Sequence, residues 1–165
     1  MTAAPNRRVL LVDDMPSIHE DFGRMLAASG TELSAAEAAL FGEPAPPPDD
    51  GFELHSAYQG EDGLAMASRA VAAGRPYAVG IIDMRMPPGW NGVETIEQIW
   101  RVDPELQVIL CTAYSDMSWD DMFRRVRLRE QLTVLRKPFD PMAAYQLILS
   151  LASKWDLARQ VRERP

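Results

Sequence analysis

Short apolar runs alternate with longer amphipathic stretches along this chain of 165 residues. The short runs have the length and composition of buried β-strands, and the longer stretches carry apolar residues at helical spacing. The predicted strands are Arg8–Val12, Phe52–Ala57, Ala78–Ile82, Gln107–Thr112 and Leu132–Leu135. The predicted helices begin near Pro16, Glu61, Val93, Ser118 and Pro141. Alternation of this kind predicts βαβ units, and hence an α/β fold with a parallel sheet and helices on both faces.

Polar side chains follow four of the five predicted strands. Asp13 and Asp14 follow the first, Asp83 the third, Thr112 ends the fourth, and Lys137 comes shortly after the fifth. In an open parallel sheet the carboxyl ends of the strands build the ligand site. Clustered carboxylates favour a hard divalent cation such as Mg²⁺, and an aspartate can act as a nucleophile toward phosphorus. The pattern therefore indicates a metal-assisted phosphoryl site.

Each of these residues also has a simpler interpretation. The Asp13–Asp14 pair by itself fits a turn or a helix cap equally well. Thr112 by itself is better explained as an ordinary strand end, and a solvated loop lysine is an alternative interpretation of Lys137. The joint occurrence of these groups at four strand ends is what favours a site.

Composition narrows the class of protein. Hydrophobic residues make up 47% of the chain and charged residues 25%, as in a globular domain. No apolar stretch approaches the roughly 20 residues that a membrane helix needs, and the first residues lack a signal-peptide core. Cys111 is the only cysteine, which excludes an internal disulfide. We therefore predict a cytoplasmic protein that does not contact a membrane.

The net charge of −7 argues against a nucleic-acid-binding chain. Residues 1–121 hold 7 basic and 20 acidic residues, whereas residues 122–165 hold 10 basic and 4 acidic residues. The basic end includes Arg124, Arg125, Arg127 and Arg129. A solvated helix face explains this cluster better than a binding surface for nucleic acid or an acidic partner.

The strand-end residues and their order resemble the receiver domain of bacterial two-component response regulators. The resemblance runs from about Arg7 to Lys154, with residues 31–51 as an insertion. The stretches that carry it are Val9–Asp14, Ile81–Pro87, Ile109–Ala113 and Lys137–Phe139. It implies a flavodoxin-like, doubly wound sheet of five parallel strands in the order 2-1-3-4-5, with helices on both faces.

The resemblance also implies a role for each residue of the site. Asp83 would accept a phosphoryl group from a histidine kinase or a phosphotransfer protein. Asp13, Asp14 and Asp83 would hold Mg²⁺ together with the backbone carbonyl of Arg85. The remaining pair is Thr112, which would rotate toward the phosphoryl group, and Lys137, which would pair with it. The Lys137–Pro138 peptide bond would be cis.

Two features depart from the family pattern. The position three residues before Lys137 often carries an aromatic switch residue in receivers, and here it is Val134. This position therefore offers no aromatic side chain to which rotation of Thr112 could be coupled. The loop after Asp83 also carries an additional Pro88–Gly89–Trp90 stretch. Trp90 fits packing on the loop better than a cover over the site.

The function expected from the resemblance is signalling by conformational change, without turnover on a diffusible substrate. A degenerate receiver that serves only as a binding scaffold is one alternative. A magnesium-dependent aspartyl phosphatase is a second and weaker one, because Asp13–Asp14–Met15–Pro16 does not fit the DxDx[TV] pattern of such enzymes. The output would come from a domain or a protein outside this chain.

We predict a receiver domain over residues 1–153 and a C-terminal helical extension over residues 154–165. In the last helix, Leu147, Leu151, Ala158 and Val161 recur near heptad spacing, so a homodimer through this helix is one expectation and a frayed tail the other. The 31–51 insertion combines a capping box with a proline-rich tract and is expected to be a tolerated surface segment.

Overall fold

The computed structural model describes residues 4–27, 51–113 and 130–163. Its sheet holds five parallel strands in the order β2-β1-β3-β4-β5, which confirms the predicted topology. The strands are β1 Arg8–Val12, β2 Glu53–Ala57, β3 Val79–Asp83, β4 Gln107–Thr112 and β5 Leu132–Arg136. Each begins and ends within one residue of its predicted bounds, and β3 extends far enough to include Asp83.

Four helices connect or follow these strands in the described part of the chain. Helix α1 covers residues 16–27, and the others are α2 Gly60–Ala72, α3 Gly92–Val102 and α4 Pro141–Glu163. Asn91 caps α3, since its side-chain oxygen accepts a hydrogen bond from the Glu94 N–H at 2.9 Å. The helix predicted from Ser118 and the 31–51 insertion lie outside the described residues.

The alternation of side chains along the strands divides the core into two layers. From β1, Leu10 and Val12 pack with α2 and α3 on one face, while Val9 and Leu11 pack with α1 and α4 on the other. Successive residues of a strand point to opposite faces, so an unbroken apolar run is what a central strand with helices on both sides requires. The two-sided arrangement predicted from the sequence is therefore observed.

Strand burial follows position in the sheet. Strands β3 and β4 are buried along their whole length, and β1 is buried apart from its first residue. The edge strands β2 and β5 are mostly only half-buried. The expectation of five buried strands is thus wrong for the two edges, because each edge strand has a sheet neighbour on one side only.

Helix α4 continues well past the predicted domain boundary at residue 153, which itself stays a prediction. Leu151 and Trp155 are buried in the layer shared with α1. The predicted heptad seam is therefore wrong at Leu151, which packs on the domain's own sheet face and is not available to a second copy. Further along the helix, Leu157 and Val161 are 61% and 66% exposed.

The end of α4 is tied back to the body of the domain. The Asn6 N–H donates to the Asp156 carboxylate at 3.0 Å, and Arg162 forms an ion pair with Glu105. The Lys154 ammonium hydrogen-bonds the Glu130 carbonyl. Among the described helices, none combines the length and apolar character needed to cross a membrane.

Candidate functional site

The order and register of the strands bring the sequence-predicted polar residues together along one edge of the sheet, the edge formed by the carboxyl-terminal ends of the strands. Strand β1 lies beside β3, with Val12 opposite Ile82, so Asp13 and Asp83 follow directly from paired positions. Strand β3 lies beside β4, with Asp83 opposite Cys111. Three consecutive central strands therefore end at the same place, and their terminal side chains share one small volume.

Three carboxylates meet at this edge. One oxygen from each of Asp13, Asp14 and Asp83 lies within 4.8 Å of the others. Asp13 is 2% exposed and Asp83 is 9% exposed, whereas Asp14 is half-buried. Charged groups are rarely buried unless they are paired or bind a cation, so this grouping demands positive charge.

The Asp13 carboxylate is fixed by its own backbone surroundings. Its Oδ1 accepts a hydrogen bond from the Met15 N–H at 2.9 Å, and the Asp13 N–H donates to the Ala57 carbonyl of β2 at 3.1 Å. The side chain thus closes a tight turn between β1 and α1. A carboxylate held in this way offers its second oxygen to a ligand without a large loss of rotational freedom.

Lys137 supplies the cation in the structure as it stands. Its Nζ donates to Asp83 Oδ1 at 2.9 Å and reaches Asp13 Oδ2 at 3.5 Å. The Lys137 N–H donates to the Thr112 carbonyl at 2.8 Å, which holds the lysine against the end of β4. The Lys137–Pro138 peptide bond is cis, and so is Pro87–Pro88. The predicted cis bond is confirmed.

The pKa values of the site reflect burial first and pairing second. Burial raises the pKa of Asp83; the hydrogen bond from Lys137 opposes this, and the charges of Asp13 and Asp14 add to it, leaving the pKa above its ordinary value. Burial acts to lower the pKa of Lys137, but the hydrogen bond to Asp83 and the negative charges of Asp83 and Asp13 together outweigh burial and raise the pKa. Burial raises the pKa of the Cys111 thiol to about 12, so this cysteine is neutral beside the site.

The remaining predicted site residues lie near this cluster with less defined contacts. Thr112 is buried at the last position of β4, opposite Arg136 of β5. Arg85 lies two residues beyond Asp83 and its side chain is exposed. A contact between the Arg85 carbonyl and a cation stays a prediction.

The loop after Asp83 is folded closely against the strand end. The Met84 N–H donates to the Cys111 carbonyl at 2.9 Å, and the Gly92 N–H donates to the Met84 carbonyl at 2.8 Å. A Cβ atom on Gly92 would lie 2.6 Å from the Asp83 carbonyl oxygen, so a glycine is required there. The start of α3 is therefore packed directly under Asp83.

Trp90 in the same loop contacts the start of α2. Its backbone N–H donates to the Glu61 carboxylate at 3.2 Å. Its Cβ lies only 3.3 Å from the position that a Cβ atom on Gly60 would occupy. These contacts agree with packing on the loop, the alternative that the sequence favoured over a cover for the site.

His19 is a residue of this region that the sequence interpretation missed. It is 7% exposed, and its ring lies between the Asp13 carbonyl and the Ser56 hydroxyl, with 2.7 Å to each. A signal was present in the sequence, because His19 is three residues before Phe22 and seven before Leu26, on the apolar face of α1. A polar residue on such a face must find buried partners.

The donor set fits a hard divalent cation. Carboxylate oxygens are the ligands that Mg²⁺ prefers, and the three here are close enough to bind one ion jointly. Lys137 already contacts two of them, so a cation and an added phosphoryl group would share the site with an ammonium group. Such a set neutralises negative charge on a phosphoryl group and presents a carboxylate oxygen as a nucleophile.

Comparison with protein families supports this interpretation. Residues 48–148 match the family model described as the response regulator receiver domain. The match covers Asp83, Thr112 and Lys137, whereas Asp13 and Asp14 precede it. Among curated proteins, sporulation initiation phosphotransferase F of Bacillus subtilis (strain 168) is 33% identical over 88 residues, which cover 53% of this chain. The chain spans 66% of that relative's length, just under two thirds.

Solved structures with the same fold include two receivers. A response regulator receiver domain protein from Methanospirillum hungatei JF-1 has a TM-score of 0.68 at 18% identity, with 93% of this chain and 98% of the other covered. The signal receiver domain of an HD domain-containing protein from Pseudomonas fluorescens Pf-5 has a TM-score of 0.67 at 18% identity, with 97% and 96% covered. At these identities the likeness supports the fold alone.

Proposed function

The chain belongs to the response regulator receiver domain family, and on this premise we propose that it is a phosphoacceptor whose Asp83 takes a phosphoryl group from a histidine kinase or a phosphotransfer protein in a Mg²⁺-dependent reaction. The observation that carries the proposal is the Lys137–Asp83 contact of 2.9 Å beside two further carboxylates. Asp83 is the only one of the three that ends β3, at the centre of the sheet.

The chemical step is a transfer between two protein side chains. A carboxylate oxygen of Asp83 attacks the phosphorus of a phosphohistidine, so a new O–P bond forms while the N–P bond of the donor breaks. The bonding electrons and a proton from solvent return to the donor imidazole. The product is an acyl phosphate on Asp83, which water hydrolyses later to regenerate the carboxylate.

The chain's own residues position the groups for this step. Asp13, Asp14 and Asp83 would hold Mg²⁺, which supplies charge neutralisation for the transferring phosphoryl oxygens when it is bound. Lys137 is already paired with the nucleophilic carboxylate, and it would move with the added charge to pair with a phosphoryl oxygen. Thr112, at the end of β4, would donate its hydroxyl hydrogen to another oxygen.

An apolar groove of about 690 Å³ beside the site suits the phosphodonor. Ile18, Phe22 and Met25 of α1 form one wall, and Pro138 and Phe139 form the other. Lys137 lines the same groove, so a partner seated there would present its histidine close to Asp83. We assign this groove to a helix of the donor protein, because an amphipathic helix presents apolar side chains from successive turns along one face and such a face can fill an apolar groove.

The output is proposed to be a contact with another domain or protein, without catalytic turnover on a diffusible substrate. Thr112 ends β4 and Lys137 directly follows β5, and the Lys137 N–H donates to the Thr112 carbonyl. Both residues that would respond to the phosphoryl group therefore lie at the β4–β5 edge of the sheet. A change at the site would therefore alter that edge first. We keep the cytoplasm as the proposed location.

The competing functions make different use of the same cluster. A degenerate receiver would have lost part of the charged set, and here Asp13, Asp14, Asp83 and Lys137 are all close together. An aspartyl phosphatase would need its nucleophile after β1, where Asp13 is instead engaged with Met15. Neither alternative accounts for the Lys137–Asp83 pair as directly as phosphoacceptance does.

The proposal is tested with acetyl phosphate and Mg²⁺, followed by intact-protein mass spectrometry. The wild-type protein should gain one phosphate, and the gain should need Mg²⁺. Asp83→Asn should abolish it, while Asp103→Asn, a matched change at another buried aspartate, should not. Full labelling of Asp83→Asn, or no labelling of a folded wild-type protein by either acetyl phosphate or phosphohistidine donors, would contradict the proposal.

A further inference from the structure

A pocket lined by polar groups lies near the amino-terminal ends of β1 and β3. The acidic cluster of Asp13, Asp14 and Asp83 lies at the opposite, carboxyl-terminal ends of these strands. The volume of the pocket is about 250 Å³, and it is enclosed by the start of β1, the middle of β2, the last turns of α2 and the segment before β3. Arg8, Arg69, Arg75, His55 and Tyr77 supply its polar groups, and Met66, Ala70 and Ala73 supply an apolar wall. No part of the proposed phosphoacceptor function uses this pocket.

The charge of the pocket wall is opposite to that of the protein. All three charged residues that line it are arginines, in a chain with a net charge of −7. Among the residues that the structure describes, Glu53 lies outside the wall and pairs with Arg8 at 3.2 Å and Arg75 at 3.8 Å. One carboxylate against three guanidinium groups leaves an excess of two positive charges before any ligand is added.

Hydrogen-bond donors also outnumber acceptors in this cluster. Each guanidinium group carries five N–H donors and no acceptor. Within the part of the chain that the structure describes, the enclosed Nη1 of Arg8 has no hydrogen-bond partner. A buried donor without an acceptor is costly, so the cluster is short of acceptor oxygens.

The inner part of the pocket is held firmly in place. The Arg8 guanidinium lies over the Tyr77 ring, 4.8 Å from its centre, and its side chain is only 16% exposed. His55 Nδ1 and the Tyr77 hydroxyl share a hydrogen bond of 2.7 Å. Burial raises the pKa of Tyr77, so its hydroxyl stays neutral. A preorganised cationic wall loses little freedom when an anion binds.

A simpler role for these arginines would be to stabilise the C-terminus of α2 by binding its last carbonyl groups. The helix does not need them for this purpose, because its backbone already supplies the hydrogen bonds. The carbonyls of Arg69, Ala70 and Val71 already accept hydrogen bonds from the N–H groups of Ala73, Arg75 and Gly74, respectively. The helix end is thus closed by its own backbone. The side chains of Arg69 and Arg75 are exposed and take no part in this backbone closure.

From these observations we propose that the pocket binds a small phosphate-bearing anion. Guanidinium groups match the oxygens of a phosphate group in pairs, and Arg69 and Arg75 are exposed at the mouth of the pocket while Arg8 forms its floor. The volume suits a phosphate group with a short carbon chain against Met66 and Ala70, and it is smaller than a typical pocket for a drug-sized ligand.

This site is separate from the acidic cluster. Arg8 is the first residue of β1 and Asp13 follows its last, so the two sites are roughly 17 Å apart along the strand. Anion binding at the pocket therefore needs no Mg²⁺ and no Asp83. Failure of one proposal leaves the other unaffected.

The test is an NMR and calorimetric titration of the metal-free protein with inorganic phosphate and with glycerol 3-phosphate. Sodium chloride at matched ionic strength and glycerol serve as controls. We expect saturable amide shifts at His55, Arg69, Arg75 and Tyr77 with a Kd of about 1 mM or tighter. Arg69→Gln combined with Arg75→Gln should weaken binding at least about tenfold. The exposed Arg101→Gln removes a positive charge elsewhere and should have no effect.

The outcomes separate the sources of the anion. Tighter binding of glycerol 3-phosphate than of phosphate identifies a phosphorylated small molecule, and equal binding identifies phosphate itself. Both results support the site. The proposal would be overturned if sodium chloride reproduced the shifts, if the shifts were confined to the acidic cluster, or if the Arg69→Gln, Arg75→Gln double variant still bound the anion.

Discussion

The Nε2–H of His19 donates to the backbone carbonyl of Asp13 at 2.7 Å, so a side chain of α1 holds the loop that carries the first carboxylate of the site. The carbonyl can only accept, which fixes this nitrogen as the donor. In the neutral ring, Nδ1 then accepts from the Ser56 hydroxyl at 2.7 Å. The ring thereby joins α1, β2 and the end of β1.

This relationship predicts that His19 positions Asp13 for metal binding. His19→Leu should weaken Mg²⁺ binding by about tenfold, as loss of a supporting hydrogen bond does at other metal sites. His19→Gln, which keeps an N–H donor, should recover part of the affinity. NMR titration with Mg²⁺ measures the change, with Ser56→Ala as the control that spares the bond to Asp13. Equal Mg²⁺ affinity in the Leu variant would show that His19 only fills space.

Asp13 and Asp14 are predicted to differ in what they do for the metal-free fold. Asp14→Ala relieves repulsion inside the cluster, so it should lower Mg²⁺ affinity without lowering the unfolding temperature. Asp13→Ala should lower both, because it leaves the Met15 N–H unbonded at a cost of about 1–3 kcal/mol. Chemical denaturation and Mg²⁺ titration of both variants provide the comparison. A stabilising Asp13→Ala would contradict it.

Asp103 predicts a pH dependence of stability. Burial raises its pKa from 3.8 to about 6, and the charge of Arg162 opposes the shift only in part. The folded state therefore binds this proton more tightly than the unfolded state, and stability falls as the pH rises from about 4 to about 6. Asp103→Asn should recover about 1–3 kcal/mol at pH 7.

The gain from Asp103→Asn should disappear near pH 4, where Asp103 is already protonated in the folded protein. Urea unfolding at pH 4, 5.5 and 7 measures it, and Asp140→Asn, at an exposed aspartate, is the control. A gain that is the same at every pH would indicate a packing effect and not a titration.

The 31–51 insertion is predicted to be dispensable for phosphorylation. The described chain returns to the sheet at Glu53, which pairs with Arg8 at the edge remote from Asp13. Replacing residues 31–51 with a short Gly/Ser link should leave labelling by acetyl phosphate unchanged. A folded deletion that no longer labels would show that the segment reaches the acidic cluster.

Self-association is predicted to use the exposed end of α4. Leu157 and Val161 lie one helical turn apart and are more than half exposed. Leu157→Glu combined with Val161→Glu should shift the protein toward monomer in sedimentation. Met142→Glu, at a 69% exposed position of the same helix, should not.

Point changes are preferred to truncation after Ser153, because truncation would also remove the buried Trp155. A wild-type protein that is monomeric at high concentration, with and without acetyl phosphate, would leave α4 as a packed terminal helix and remove the dimer prediction.

The sequence predicted the sheet well because each strand is a short apolar run between clear turn and helix signals. The strand-end carboxylates were found for the same reason, since parallel topology alone places Asp13 and Asp83 together. The Arg8–Tyr77 pocket could not be predicted because it depends on contacts between distant segments. His19 stands on the apolar face of α1, but its partners, the Asp13 carbonyl and the Ser56 hydroxyl, are identified only by the structure. The heptad seam was misjudged because periodicity shows which residues share a face and not which surface that face meets.

The pairing of β1 has a consequence for the way this domain is synthesised. Its partners begin 45 and 70 residues later along the chain, since Arg8 pairs with Glu53 and Val9 with Val79. On the ribosome, the apolar strand Val9–Val12 therefore emerges long before either neighbour can cover it. Such non-local pairing delays folding, and it leaves an exposed apolar segment that can aggregate or bind chaperones. The strand that leads into the first two carboxylates is thus exposed to aggregation while the rest of the sheet is being synthesised.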